Sequence, residues 1–459
     1  MFYGRDDTRY SLAVSAKIER ERKMNQRISM LAGALLAAAA YSGPVAGQAQ
    51  QPPGQPQQQV KTEAQDLQDA IGGGKLLLEL RPRFEYVDQS NKPREANAFT
   101  MRTLLGWQTK PYYGFSGVLA FLNVSNLDGD SYNSNPAVTT SPYPTVADPD
   151  TTVVPLLYLD YTGLEKTSIK VGRQIAKLNN LRVLGDVNFR QTPQTFEALS
   201  ATTTIVPDLN IYAAYLWRQL TTLGTEKSMS TPVVNARYAF LPNEYIIAYG
   251  QFQNQANTGQ NGPPAYPAPA GTGFSDNSNQ IVGLRLDGTH PFGEKWKGLY
   301  TVEYAQQKPY ADGNSAIDAF YYHLGLGAGW GPYFGMVHQE KLSSNKGLYA
   351  FQTPLATLHL FQGWADLFLV TPKQGIVDTW VNAGATVFEK VQLYGEYHWF
   401  KSDFGNINFG QEIDLSVAYP LAKGLVGKIE FADYHTGDPT SVTGKPDVLK
   451  LWLTLSYNY

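Results

Sequence analysis

The sequence predicts an all-β fold, a transmembrane antiparallel β-barrel of about 18 strands with short periplasmic turns and long extracellular loops. Three observations predict it. Segments that alternate apolar and polar residues recur along most of the chain, and a period of two marks a strand with two unlike faces. The connections between these segments alternate between short and long. The chain ends on such a segment, "DVLKLWLTLSYNY", closed by an aromatic residue.

Composition narrows the field. The 459 residues include 29 Tyr, 21 Phe, 8 Trp and 42 Gly, and no Cys. A net charge of −3 provides no basic field for nucleic acid. Without cysteine there are no disulfides and no thiolate metal sites. The mean hydropathy of −0.30 is far too polar for a bundle of membrane helices. A barrel escapes that objection because it turns its polar half into the lumen.

The elements follow in order. Residues 1–23, charged and upstream of the signal, read as an N-terminal extension from a misplaced start codon, with Met24 the true start. Residues 24–49 read as a secretory signal: Arg27 supplies the positive end, Ile28 to Ala40 the apolar stretch, and Gly47 or Ala49 the cleavage site. Residues 50–74 begin as a Gln/Pro-rich disordered spacer, with a short helical turn over 61–71. The barrel then runs over 75–459. Its strands are read at 75–88, 98–109, 115–126, 152–162, 167–174, 196–204, 209–218, 233–241, 245–253, 279–289, 298–307, 319–328, 333–341, 376–388, 391–400, 410–419, 425–434 and 447–459. Short turns fall at 110–114, 163–166, 241–244, 329–332, 389–390 and 420–424, and long loops at 127–151, 175–195, 254–278 and 342–375. An even strand number places both barrel ends on the short-turn side.

The strand faces agree with a membrane wall. "KLLLELRPRFEY" sets Leu76, Leu78, Leu80, Phe84 and Tyr86 against Glu79, Arg81, Arg83 and Glu85. A charge facing lipid near the midplane costs about 2–4 kcal/mol, so the charged face belongs to the lumen. Trp107, Tyr215, Trp217 and Trp399, near strand ends, suit the interfacial girdles. In the last strand Leu449 to Leu455 face lipid, and Trp452 is the one bulky residue on the polar side.

Four stretches, "KVGRQ" (170–174), "FRQTPQTFEA" (189–198), "HLFQGWADLFLVTPKQGIVD" (359–378) and "YHWFKSDFGNINFGQEIDLSVAYPL" (397–421), resemble the alginate-export family of outer-membrane porins over roughly residues 75–459. The resemblance implies an 18-stranded barrel in a Gram-negative outer membrane, with an arginine-rich pore. It also implies passage of anionic solutes, carboxylated sugars or an alginate-like polysaccharide. The terminal Tyr459 resembles the aromatic signal read by the barrel-assembly machinery, where Phe is usual.

By strand parity the candidate pore-lining and selectivity residues are Arg81, Arg83, Arg102, Arg237, Arg285, Glu79, Glu412 and Asp414, with Arg190 at the end of a long loop that folds in. Arg81, Arg83 and Arg102 form the strongest cation cluster, and a planar guanidinium fork suits carboxylates. Lys170, Arg218, Lys428, Lys450, Glu197 and further acids share the inward parity, while Arg173 has the parity of the lipid face. Trp364 and Asp366 mark a possible gating loop. His323, His338, His359 and His398 are too scattered for metal spacing, so neither metal nor cofactor is expected. No nucleophile elbow or compact Ser/His/Asp set appears, which argues against an enzyme. The expected partners are outer-membrane lipid, the assembly machinery and an anionic solute or polysaccharide, for a monomer. An uptake porin for small carboxylates, sugars or aromatics is the alternative.

Overall fold

A computed structural model of the chain describes residues 63–129, 131–254 and 276–459. The extension, the signal and the spacer as far as residue 62 lie outside the described residues, as does most of the 254–278 loop. Eighteen strands form one sheet. They are β1 (Lys75–Gln89), β2 (Ala96–Gln108), β3 (Phe115–Asn126), β4 (Thr151–Tyr161), β5 (Thr167–Gln174), β6 (Thr195–Thr203), β7 (Leu209–Leu220), β8 (Glu226–Leu241), β9 (Glu244–Gln253), β10 (Asn279–Phe292), β11 (Trp296–Pro309), β12 (Ala319–Trp330), β13 (Tyr333–Leu342), β16 (Ile376–Val387), β17 (Val391–Lys401), β18 (Asn408–Ala422), β19 (Leu425–Thr436) and β20 (Val448–Asn458). A two-residue ladder, β14 (Ser344–Asn345) with β15 (Tyr349–Ala350), lies in the loop before β16.

Each barrel strand pairs antiparallel with its neighbour in sequence, and β1 pairs antiparallel with β20, from Glu79 opposite Asn458 to Gln89 opposite Val448. That pairing closes the sheet and leaves no edge, as hydrocarbon requires. Among the described residues no helix is long and apolar enough to cross a membrane. The outer face is apolar: Leu105, Phe121, Leu157, Leu159, Leu284, Leu324, Val337, Leu415 and Leu453 are all exposed. Exposed Trp107, Trp296, Trp330 and Tyr333 flank it at the turn side, and Trp399 at the loop side. A closed wall with an apolar belt between aromatic rims places the protein in the outer membrane.

The buried core lies inside the barrel, where Ile281, Phe351, Phe368, Phe400, Phe409 and Tyr434 pack beneath infolded loops. Trp452, the odd residue of the closing strand, is fully buried there against Phe189.

Two expectations are corrected. Residues 63–74, assigned to the spacer, dock on the β2–β3 turn. Helix α1 (Leu67–Gly72) is capped by Asp66, Asp69 pairs with Lys110 at 2.7 Å, and Ile71 accepts from Trp107 Nε1 at 2.8 Å. Arg218 and Glu197 do not face the lumen. Glu197 lies opposite Arg173 on the face that also carries exposed Val171 and Leu199. A register shift between Leu216 and Arg218 reverses the parity of Arg218, as a bulge does. Arg173 joins Glu197 and Glu226, and Arg218 reaches the same two acids.

Candidate functional site: the charged lumen

Strand parity delivers two charged arcs to the lumen, and loops 175–194 and 343–375 cover both. The basic arc spans β20, β1 and β2. Arg81 stands directly opposite Arg102 in the β1–β2 register, and Arg83 opposite Thr454 in β20. Arg81 donates to the Asn188 carbonyl at 2.7 Å, the Arg190 carbonyl at 2.5 Å and Gln191 Oε1 at 2.9 Å. Arg83 donates to the Phe189 carbonyl at 2.6 Å and to Thr454 Oγ1 at 3.1 Å, with its guanidinium 4.4 Å above the Phe189 ring. Arg102 donates to Asn188 Oδ1 at 2.8 Å and pairs with Glu79 at 2.9 Å. Three arginines thus grip one short piece of loop, Arg81 and Arg83 by its backbone and Arg102 by the Asn188 side chain.

The cluster expected to line the pore lies on its inner wall, beneath the infolded loop. Arg81, Arg83 and Arg102 are only 6%, 3% and 3% exposed, because the loop lies on them. Arg285 is likewise covered, paired with Glu303 at 2.6 Å and Asp287 at 2.8 Å. Arg237, half-buried, stacks 3.6 Å above the Tyr245 ring.

Between the arcs the two loops meet at a charged knot. Asp366 accepts from Arg190 at 3.0 Å, Lys450 at 2.9 Å and His359 Nδ1 at 2.8 Å. Arg190 also reaches Glu85 at 3.0 Å and Asp148, from the 127–150 loop, at 3.5 Å. Burial alone would raise the Asp366 pKa, but Lys450, His359 and Arg190 hold it well below the usual carboxylate range. Burial alone would lower that of Arg190, and its three carboxylates raise it instead. Backbone bonds tie the same loops together, Gly185 N to Leu355 O at 2.8 Å and Thr357 N to Leu181 O at 3.0 Å. Trp364 is buried against Tyr394, with the rings stacked at 6.0 Å. The region expected to gate is a packed plug.

The acidic arc spans β13, β16, β17 and β18. Glu340, Asp378, Glu412 and Asp414 are all at most 1% exposed. Arg182 pairs with Glu340 at 3.0 Å. The loop answers the others with backbone: Ala365 N donates to Glu412 at 2.6 Å and Trp364 N to Asp414 at 3.3 Å. A row of register partners crosses this arc, from Gly325 through His338, Trp380 and His398 to Glu412. Gly325 is needed where it stands, since a Cβ there would strike the His338 ring. His338, Trp380 and His398 stack face to face, with centroid separations of 4.6 and 5.6 Å. Sequence reading left these histidines scattered. Their shared inward parity was visible, but only the strand register brings them together.

The fold and interior define a closed 18-stranded outer-membrane barrel with a loop-filled lumen. No protein-family model matches this sequence, and no curated protein is similar to it. Solved structures are similar in fold. The chain superimposes on OccK3 (OpdO) of Pseudomonas aeruginosa with a TM-score of 0.63 and 13% identity, over 86% of this chain and 98% of that one. OccAB2 of Acinetobacter baumannii gives 0.65 and 14%, over 85% and 99%. OpdK of P. aeruginosa, solved with vanillate, gives 0.62 and 12%, over 84% and 98%. The strand number implied by the alginate-export resemblance is the one observed, but these comparisons include no alginate-export family.

Proposed function

We propose that the protein is a narrow uptake channel for small carboxylates, with its anion preference set by the basic arc. One observation carries this reading. Among the described residues Arg81 and Arg83 have no carboxylate within 4.0 Å, and neutral oxygens take their hydrogen bonds. Their charges are therefore solvated without a direct ion-pair partner. At an effective dielectric near 20, a unit charge about 4 Å away is worth roughly 4 kcal/mol before screening, and low-dielectric walls focus such a field. Buried cations thus act on a passing anion through their field, without contact. OpdK, a barrel of the same fold, was solved with vanillate, an aromatic carboxylate, which supports a small carboxylate over a neutral sugar.

Passage of an anionic exopolysaccharide is not favoured, because a polymer needs a continuous open path and the loops are tied across the lumen. Lipid and the assembly machinery are the partners this reading needs, for a barrel that works as a monomer. Planar-bilayer recording of the purified protein under a salt gradient tests the proposal: the reversal potential should report anion preference, and benzoate-type carboxylates should block the current where uronate oligomers do not. A cation-selective channel, or block by uronate oligomers alone, would overturn it.

A further inference from the structure

We infer that the lumen wall carries a site for one divalent transition-metal ion, held by Glu396, His398 and Asp414 of β17 and β18. Their ligand atoms lie within 4.8 Å of one another. His398 Nε2 is 3.5 Å from Glu396 Oε1 and 3.8 Å from Asp414 Oδ2. Donors around a small ion at about 2.1 Å stand roughly 3.4 Å apart at the edges of a tetrahedron, which is the spacing the nitrogen keeps here. A hydrogen bond would draw such partners to about 2.7–3.2 Å.

Further observations point the same way. The His398 side chain is 4% exposed, yet its Nε2 has no hydrogen-bond partner, and neither does Asp414 Oδ1. The other ring nitrogen, Nδ1, is held by both oxygens of Asp378 at 2.9 and 3.0 Å. A carboxylate behind the imidazole fixes the tautomer that turns a lone pair on Nε2 toward the gap, the usual support of a metal-bound histidine. Trp380 and Phe400 both stack on the ring, with centroids at 5.6 and 5.3 Å.

Charge gives a further reason. Glu340, Asp378, Glu396, Glu412 and Asp414 share this arc, and Arg182 at Glu340 is the one Lys or Arg paired with any of them among the described residues. Buried carboxylates in such excess must either keep protons or take up a counter-charge, and a metal ion supplies one. One imidazole with two carboxylates suits Zn²⁺ and its neighbours in the first row better than Mg²⁺ or Ca²⁺. This inference stands whether or not the channel reading above holds.

The test uses the full chain, folded in detergent, stripped with EDTA, dialysed against Zn²⁺ and assayed by mass spectrometry of the metal. One zinc per barrel is expected in the wild type and none in His398→Gln. Asp378→Asn, which removes only the positioning carboxylate, should weaken zinc binding by roughly 10–100-fold. Heat-modifiable migration on gels verifies that each variant is folded. Should a variant fail to fold, wild-type protein loaded with Co²⁺ gives the answer alone, since intense visible d–d bands, unlike the weak ones of aqueous Co²⁺, require cobalt bound in a ligand field of low symmetry. Retention of equal zinc by His398→Gln, or a wild type with neither zinc nor cobalt bands, overturns the site and leaves a protonated histidine in the gap.

Discussion

The basic and acidic arcs lie within a few strands of each other and are covered by the same loops, yet the loops satisfy them unequally. On the basic arc the loop offers carbonyls. Among the fully buried nitrogens of Arg81, Arg83 and Arg102, only Arg102 Nε lacks a partner. On the acidic arc the loop offers two N–H groups, from Trp364 and Ala365, while Glu412 Oε2 and Asp414 Oδ1 remain without a donor. The reason lies in the peptide unit. Each carbonyl oxygen has two lone pairs, whereas each amide has a single hydrogen. A folded loop therefore solvates buried cations more readily than buried anions, and an acidic wall must keep protons or import positive charge.

The comparison breaks most severely at the knot joining the arcs. Asp366→Asn leaves Arg190, Lys450 and His359 without their shared anion, and loss of one partner from a buried pair costs about 3–5 kcal/mol. The temperature at which the folded gel band converts should fall sharply, and conductance should rise as the loops loosen. The pH dependence carries the same sign. Because the Asp366 pKa is depressed in the folded protein, its contribution is complete above the ordinary value of 3.8 and declines as pH falls below it.

Trp452→Ala tests the apolar support beside the knot. Truncating a fully buried tryptophan costs about 3–5 kcal/mol, less where loops close the cavity. A lower conversion temperature is expected, with smaller conductance changes than in Asp366→Asn. An unchanged melting profile would show that the loops are held by charge alone.

The third experiment separates ion-paired cations from those without an ion-pair partner. Arg81→Gln with Arg83→Gln should move the reversal potential toward cations severalfold in permeability ratio. Arg102→Gln should move it less, because Glu79 already neutralises that charge. Equal shifts from the two would refute field control by the unpaired pair.

The smallest effect is at Lys445, beside the packed 359–368 segment, whose Nζ donates to Leu367 O at 2.5 Å. Burial pushes its pKa down from 10.5 to about 8. The folded protein then loses this proton before the unfolded chain does, so stability should rise between pH 8 and 10.5. Conversion temperatures over that range should rise in the wild type relative to Lys445→Met.

Most of the wall was legible because lipid enforces the two-residue period on every strand. The reading of 425–434 for β19 fell short by only two residues, at Thr436. The main miss was the start of β8, read at 233 and observed at Glu226, where polar "EKSMSTP" looks like loop. The bulge at Trp217 also hid, since a single inserted residue leaves no mark in composition. The charged interior was legible by parity alone. Parity gave the inward face of Arg81 and Asp414 but not their partners, which come from loops whose path no periodicity encodes. The histidine row required the register, which turn geometry decides.

Trp452 and Lys450 belong to the last strand, the one that pairs with β1 to shut the sheet. Trp452 packs on Phe189, and Lys450 binds Asp366, so the interior is finished by the same segment that seals the wall. A nascent chain whose loops have not entered would close over a hollow, with a tryptophan and an ammonium facing water. The closing strand therefore gains its full contact energy only when the loops are already in place.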